Sequence, residues 1–297
     1  MLTFISLLLF IASSAFLVWF FLKHDRGPKE PRGALFAAAG FGLLAIMAAF
    51  WAEMFLLPKP DSPTLSIFVI FLLAMGVGVI EESAKFVPLA LFIRGKNYFN
   101  EHTDGVIYFG IVGLTFGFVE NLLYLFVYKN QLGGSQLTGI FRLIVLFFFH
   151  AASTGIVGYY FAKAKIQKQK IIKPIIALIT MMFIHGTYDF LFLAASHTYQ
   201  NNPYASDNTS LFIVLALVGG LIISALLNTF LFLYYGRARQ WDASIGLATD
   251  PNLPASQQVA LSPQPTANPA VVSQATVPAM PTHQTVSPAP PAATHPQ

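Results

Sequence analysis

The sequence predicts an all-α polytopic membrane protein with about seven transmembrane helices and a disordered tail. Of its 297 residues, 55% are hydrophobic and only 10% are charged, and the mean hydropathy is +0.62. Soluble domains carry about 25% charged residues. Apolar stretches also recur near the ~20 residues that a helix needs to cross ~30 Å of hydrocarbon. The absence of cysteine excludes a disulfide framework, a thiolate metal site and a thiol nucleophile.

Seven apolar segments are the predicted spans. We expect helices because a segment in lipid must satisfy its backbone polar groups internally. The first segment lacks a positively charged start and a small-residue cleavage site, so we interpret it as a span and not as a signal peptide. In chain order the spans cover residues 2–22, 33–57, 65–93, 104–128, 140–162, 172–193 and 211–235.

Basic residues alternate between the links and predict the orientation. The first link (23–32) holds four, the third holds two, the fifth (163–173) holds five, and two arginines follow the last span. The second and fourth links hold one each, with Arg142 at the far edge of the fourth, and the sixth holds none. Because cytoplasmic loops carry the excess of Lys and Arg, we expect the N-terminus outside and the C-terminus in the cytoplasm.

The composition changes after the last span and divides the chain into two regions. Residues 1–240 form the predicted transmembrane domain, and residues 241–297 form a tail rich in Pro, Ala, Gln, Ser and Thr. Eleven of the 19 prolines fall in 251–297, and no charged residue follows Asp250. Such a segment cannot bury enough apolar surface to offset its ordering entropy. We therefore predict a disordered cytoplasmic tail, and we favour a spacer over a proline-rich docking site.

Ionisable residues deep inside the spans are the first functional candidates, because each costs about 2.5–3.5 kcal/mol to insert. With a rise of ~1.5 Å per residue, the candidates on four different helices fall at similar heights near the midplane. Scattered structural residues have no reason to match in depth. Glu53, near the outer end of the second span, is interpreted as an interfacial residue. The candidates are Glu81, Glu82 and Lys85 in the third span, Glu120 in the fourth, His150 in the fifth, and His185 with Asp189 in the sixth.

Local spacing adds expected contacts. Lys85 follows Glu81 by four residues and Glu82 by three, so it can pair with either carboxylate on one helix face. Adjacent carboxylates in a low dielectric titrate as a coupled unit, which suits a proton carrier. Asp189 follows His185 by four residues and can orient its imidazole. A single Glu–Lys pair or a single His is commonly structural, so the hypothesis depends on the convergence of all these helices.

Carboxylates and imidazoles inside a membrane suit hydrolysis. Glutamate can take a proton from water as general base, and histidine can stabilise an oxyanion or bind a metal. The sequence contains neither the HExxH motif of zinc proteases nor the GxSxG motif of serine hydrolases. A proton-coupled transporter that uses the same residues as a relay stays an alternative, although no internal repeat is visible. A scaffold acting through its tail is a third possibility.

Five motifs in order resemble one family, the PrsW-type intramembrane proteases. EESAK (81–85) fits its EExxK motif, and FGFVEN (116–121) fits its FxxxEN motif. FFHAASTGIVGYY (148–160) and FIHGTYDFL (183–191) resemble its two later histidine helices, and HDRGPKEP (24–31) resembles its juxtamembrane D…EP segment. The resemblance covers about residues 15–193. The family is similar to the CAAX-protease and bacteriocin-immunity membrane proteins.

The resemblance implies an intramembrane endopeptidase in a bacterial cell membrane. Its implied substrate is a membrane-anchored protein, with an anti-sigma factor in regulated proteolysis as the best-known family case, and it implies no nucleic-acid partner. The implied catalytic residues are Glu81, Glu82, Glu120, His150 and His185, with Lys85, Asn121 and Asp189 in support.

Whether this site holds a metal is left open by the sequence. Glu120, His150 and His185 would suit zinc as ligand types. A Glu–His dyad suits a metal-free glutamic mechanism, and we favour that mechanism. Asp189 stands where related endopeptidases carry Asn. A carboxylate at this position can orient the histidine ring, but it is a poor hydrogen-bond donor to an oxyanion.

Overall fold

A computed structural model describes residues 2–57, 65–126, 148–201 and 207–245 of the chain. All regular secondary structure in these ranges is α-helical, so the predicted all-α class is confirmed. The start of the predicted fifth span and the predicted tail beyond residue 245 lie outside the described residues. The seven described helices are α1 (Leu2–His24), α2 (Arg32–Leu56), α3 (Ile67–Ile93), α4 (His102–Phe126), α5 (Phe149–Ile166), α6 (Ile172–Asn201) and α7 (Asp207–Ser244).

Six of the described helices are long and apolar enough to cross a membrane. The exception is α5, whose described part has 18 residues and ends with Lys163 and Lys165 in its last turn. This multi-span architecture agrees with the predicted class, and the predicted orientation remains a prediction. α7 has 38 residues and continues to Ser244, past the predicted end of its span at residue 235.

The extra length of α7 is held by α4. Asp242 is buried, and its carboxylate accepts hydrogen bonds from the backbone N–H groups of His102 (2.8 Å) and Thr103 (3.0 Å). The His102 ring and the Thr103 hydroxyl contact the same carboxylate, at 2.7 and 3.1 Å. The first N–H groups of a helix have no partner within the helix, so a carboxylate at that end is stabilising. Asp242 thereby fixes the last turns of α7 to the start of α4.

The helices α4 and α5 form the centre of the bundle. The described span of α4 is 67% buried, against 17–33% for the other five candidate spans. Most residues of α5 are buried as well. The helices α3 and α6 pack against each other beside this pair. Four neighbouring helices therefore carry the predicted site residues.

Glycine allows the closest approach between these helices. A Cβ on Gly78 of α3 would lie 2.5 Å from the Met182 carbonyl oxygen and 2.7 Å from the Gly186 nitrogen on α6. A Cβ on Gly117 of α4 would lie 2.6 Å from the His150 ring on α5. Real Cβ atoms do not approach so closely, so α3 can lie this near the backbone of α6, and α4 this near the His150 ring, only because Gly78 and Gly117 carry no side chain. Gly78 lies one turn before Glu82, and Gly186 follows His185 directly.

Candidate active site

Three charged side chains on α3 begin the site. Lys85 is 0% exposed and Glu82 is 1% exposed. The Lys85 Nζ lies 2.7 Å from Glu82 Oε1 and 3.5 Å from Glu81 Oε2. The predicted pairing of Lys85 with both carboxylates is present in the structure. Burying these charges is costly unless each is paired and hydrogen-bonded. The neighbouring helices supply the remaining hydrogen-bond partners.

His150 connects α3 to α4 through α5. Its Nδ1 lies 3.0 Å from Lys85 Nζ, and its Nε2 lies 2.8 Å from Glu120 Oε2. An ammonium group only donates, so Nδ1 is the acceptor in the first contact. The ring proton then belongs on Nε2, the nitrogen that lies nearer to the Glu120 carboxylate. This assigns a neutral His150 held between a cation and an anion.

His185 on α6 lies on the other side of the glutamate pair. Its Nδ1 is 2.8 Å from Glu82 Oε1, while its Nε2 is 3.5 Å from Glu81 Oε2 and 3.4 Å from Asp189 Oδ2. Asp189 was predicted to orient this imidazole. The structure places Asp189 beside the ring, but Glu82 makes the shorter contact. A carboxylate on one ring nitrogen fixes the ring and directs the other nitrogen, here toward Glu81.

The two adjacent glutamates differ in how their oxygens are used. Glu82 Oε1 accepts from Lys85, from His185 and from the Ser153 hydroxyl, the last at 3.0 Å. Glu81 Oε2 has only longer contacts, at 3.5 Å to Lys85, 3.5 Å to His185 and 3.9 Å to His150. Glu82 is therefore fixed by three donors, whereas Glu81 retains capacity to accept a hydrogen bond from water.

Aromatic rings surround the polar cluster. The Phe149 ring lies 5.1 Å from the His185 ring and 4.7 Å from the Tyr188 ring, centroid to centroid. The Phe116 ring lies 5.3 Å from the His150 ring, and Lys85 Nζ is 4.5 Å from the Phe116 centroid. These apolar walls limit water and strengthen the electrostatic interactions inside the cluster.

The structure therefore brings together all five predicted catalytic residues, with Lys85 and Asp189. Asn121, predicted in support, is buried, but its Oδ1 has no hydrogen-bond partner among the described residues. Sequence reasoning missed Ser153, which lies one turn after His150 and bonds Glu82. The i,i+3 spacing from His150 was the available signal.

Glu53 on α2, which sequence reasoning left outside the site because it lies near the outer end of its span, is electrostatically coupled to the site. Its Oε1 is buried, and its carboxyl lies within electrostatic range of Asp189, Glu120 and His185. It lies one turn after Ala49, a buried residue on the face of α2 that packs beside Phe116. The i,i+4 spacing between Ala49 and Glu53 was the sequence feature that could have placed Glu53 on the inner face of α2.

One group in the described part of the chain could hold a metal ion. Glu81, His150 and His185 each offer one ligand atom, and these atoms lie within 4.8 Å of one another. The predicted metal set had Glu120 in place of Glu81. Two imidazoles and a carboxylate with an open fourth position suit zinc. The donor set thus fits a metal ion, although Lys85 already contacts the His150 nitrogen at 3.0 Å.

The fold and the site together define a class, the polytopic membrane hydrolases with a buried Glu/His centre. Carboxylates, imidazoles and an ammonium group meet between four helices, and one carboxylate has spare acceptor capacity. These groups can activate water and stabilise an oxyanion at membrane depth. A family model described as "PrsW family intramembrane metalloprotease" matches residues 30–221, more than half of the chain.

The chain belongs to the PrsW family of intramembrane proteases. It is 29% identical over 185 residues to Protease PrsW of Bacillus subtilis, covering 62% of this chain and 80% of the relative. It is 30% identical over 183 residues to Protease PrsW of Geobacillus kaustophilus, covering 61% and 76%. The Protease PrsW of Clostridioides difficile is 28% identical over 130 residues, covering 43% of this chain and 52% of the relative. No solved structure matches.

This membership confirms the main functional prediction over the transporter alternative. The chain is a multi-pass membrane protein and a peptidase. The description of the family as metalloproteases agrees with the Glu81–His150–His185 group, which could hold a metal ion.

Proposed function

We propose that this protein is an endopeptidase that cleaves membrane-anchored protein substrates at membrane depth, with Glu81 as the general base. The unequal use of the two glutamates carries the proposal. Glu82 is occupied by three donors, and Glu81 has only contacts of 3.5 Å or longer. A base must accept a hydrogen bond from the water it activates, and Glu81 has that capacity.

In the proposed reaction, Glu81 takes a proton from a water molecule, and the water oxygen attacks the scissile carbonyl carbon. The carbonyl oxygen gains negative charge, which the Lys85 ammonium and the His185 imidazole stabilise, while His150 holds Lys85 in place. The carbon–nitrogen bond then breaks, and Glu81 returns its proton to the departing amine. Glu82 acts through His185, whose ring it holds at 2.8 Å.

A metal-dependent variant is favoured by one observation, the proximity of three ligand atoms within 4.8 Å. Glu81, His150 and His185 would hold the ion, and it would supply a Lewis acid for the carbonyl oxygen. Lys85 Nζ already contacts His150 Nδ1 at 3.0 Å. The metal-free route requires no change in that contact, and it is the route we favour.

Metal analysis separates the two routes. Purified protein is assayed for bound zinc and for cleavage before and after chelation, alongside a His185→Ala variant. A metal-free enzyme retains its cleavage rate after chelation. Stoichiometric zinc that disappears in His185→Ala, together with cleavage that stops on chelation and returns with zinc, establishes the metal route instead.

An anti-sigma factor with a single membrane anchor is the substrate class that we propose, on the strength of the family resemblance. The experiment incubates purified protein in liposomes with an anti-sigma factor and with an unrelated single-span protein. We expect cleavage of the first by wild type and none by a Glu81→Ala/Glu82→Ala double variant. Cleavage that survives the double substitution would overturn the proposed endopeptidase site.

A further inference from the structure

A crevice of about 510 Å³ lies between α5, α6 and α7. Ile156 and Tyr160 line it from α5, Lys173 and Ile176 from α6, and Leu226 and Phe230 from α7. None of the residues of the Glu/His cluster lines it. No step of the proposed reaction uses the crevice.

The walls of the crevice are apolar and open to the bilayer. Ile176 is 57% exposed, Leu226 53% and Phe230 47%. These residues belong to two candidate membrane spans, Ile172–Ala195 and Val214–Ser244. The medium against them is therefore hydrocarbon, and the natural occupant of an apolar crevice there is a hydrocarbon chain.

One end of the crevice is basic. Lys173 lines it, and the Arg237 guanidinium carbon lies 5.6 Å from the centroid of the Tyr234 ring, which also lines it. The hydroxyls of Tyr160 and Tyr234 are 2.7 Å apart at the same end and offer further hydrogen bonds.

Acidic residues do not offset this charge. The sequence has no Asp or Glu from residue 149 to residue 188, while five lysines lie in 163–173. Asp242, the acidic residue in the last turns of α7, is 1% exposed and bonded to α4. The mouth of the crevice is thus positively charged, which suits an anionic headgroup.

The shape of the crevice suits an acyl chain. From Lys173 to Ile184 the lining of α6 extends roughly 16 Å, at ~1.5 Å per residue. The volume along this length is about 510 Å³. Because the open side faces the bilayer, an acyl chain of a neighbouring lipid can enter it directly from the membrane, with its headgroup beside the basic end.

We propose that the crevice binds an anionic phospholipid of the surrounding bilayer. One acyl chain lies along Ile176, Leu226 and Phe230, and the phosphodiester group contacts Lys173 and Arg237. Basic recesses between transmembrane helices are a recurring form of headgroup recognition. The site is separate from the catalytic cluster, so lipid binding is measured without reference to cleavage.

The test uses the purified full chain, stripped of lipid in detergent and mixed with defined lipids. Phosphatidylglycerol and phosphatidylcholine with identical chains are compared by native mass spectrometry. We expect phosphatidylglycerol to be retained at least about tenfold more tightly, and each of Lys173→Gln and Arg237→Gln to weaken it about fivefold. Ala177→Phe, which fills the crevice, abolishes the retained lipid.

Matched controls keep the result specific. Lys96→Gln removes one positive charge from the α3–α4 link, and Leu91→Phe adds bulk at an exposed position of α3. Both retain the wild-type preference. Equal retention of the two lipids overturns the proposal, and so does unchanged retention in Lys173→Gln and Ala177→Phe. A stable dimer or a bound substrate span that Ala177→Phe removes also overturns it, because either would show a protein occupant.

Discussion

The Glu81–Glu82 pair shows that adjacent residues on one helix can have opposite environments. Glu82 accepts three hydrogen bonds from α3, α5 and α6, so it holds three helices together as well as orienting His185. Glu81 has no contact shorter than 3.5 Å to a charged neighbour. The structural function of one glutamate and the chemical function of the other should therefore separate by mutation.

Replacing Glu82 by Gln is expected to destabilise the fold. The amide retains an acceptor oxygen but removes the charge that pairs with Lys85, leaving a buried cation without its 2.7 Å partner. Breaking a buried pair in this way costs about 3–5 kcal/mol. Thermal unfolding in detergent should show a clear drop in Tm, while Glu81→Gln should change Tm far less. Equal Tm values for the two variants would contradict the proposed difference.

Glu101, outside the spans, provides a pH test. Burial, with Asp104 and Asp25 nearby, raises the pKa of its carboxyl from 4.5 to about 8. The unfolded chain thus loses this proton before the folded protein does, so stability falls as pH rises from about 4.5 to about 8. Glu101→Gln removes this contribution. The Tm of Glu101→Gln minus the Tm of wild type should therefore be larger at pH 8 than at pH 5. Unfolding scans of both proteins at the two pH values measure this difference.

At the scale of the helices, the glycine contact between α3 and α6 positions the catalytic groups. A side chain at Gly78 collides with the backbone of Met182 and Gly186. Gly78→Val should push the helices apart, lengthen the Glu82–His185 contact and lower both Tm and cleavage. Gly40→Val on α2 is the matched control, because nothing lies within 4 Å of a Cβ there. If both variants keep wild-type Tm and cleavage, the close approach has no positioning role.

Sequence patterns predicted the helices and the convergence of polar residues, because length, hydropathy and depth follow directly from residue order. The depth match of Glu82, Glu120, His150 and His185 needs only a constant rise per residue. The different environments of Glu81 and Glu82 depend on how α3 is rotated about its own axis. The hydropathy pattern of a span that is apolar on nearly every face does not show that rotation. Glu53 was left outside the predicted site because its distance along α2 suggested the interface, and its electrostatic coupling to Asp189, Glu120 and His185 depends on how the helices pack.

For the whole molecule, the charge distribution predicts an external N-terminus and a cytoplasmic tail. The chain has no cysteine, so a single introduced thiol reports its side of the membrane without further engineering. Ser262→Cys in the tail should react with a membrane-impermeant maleimide only after the membrane is opened. Asn202→Cys, in the link between α6 and α7, should react in intact cells. The reverse pattern would contradict the predicted orientation.

Asp242 explains why the last helix exceeded its predicted length. The span ends where apolar residues give way to Arg237 and Arg239, but the helix continues until Asp242 reaches the start of α4. A contact between residues 140 positions apart cannot be found from local composition.

We predict that Glu81 activates the hydrolytic water in a site whose geometry Glu82 maintains. The most direct measurement is the single-turnover cleavage rate of purified Glu81→Gln in liposomes, with unfolding scans to verify that the fold is retained. A positioned base contributes about 10²–10⁴-fold to such a rate. We predict a loss in that range at near wild-type Tm. A folded Glu81→Gln variant that cleaves within about tenfold of wild type would contradict the claim.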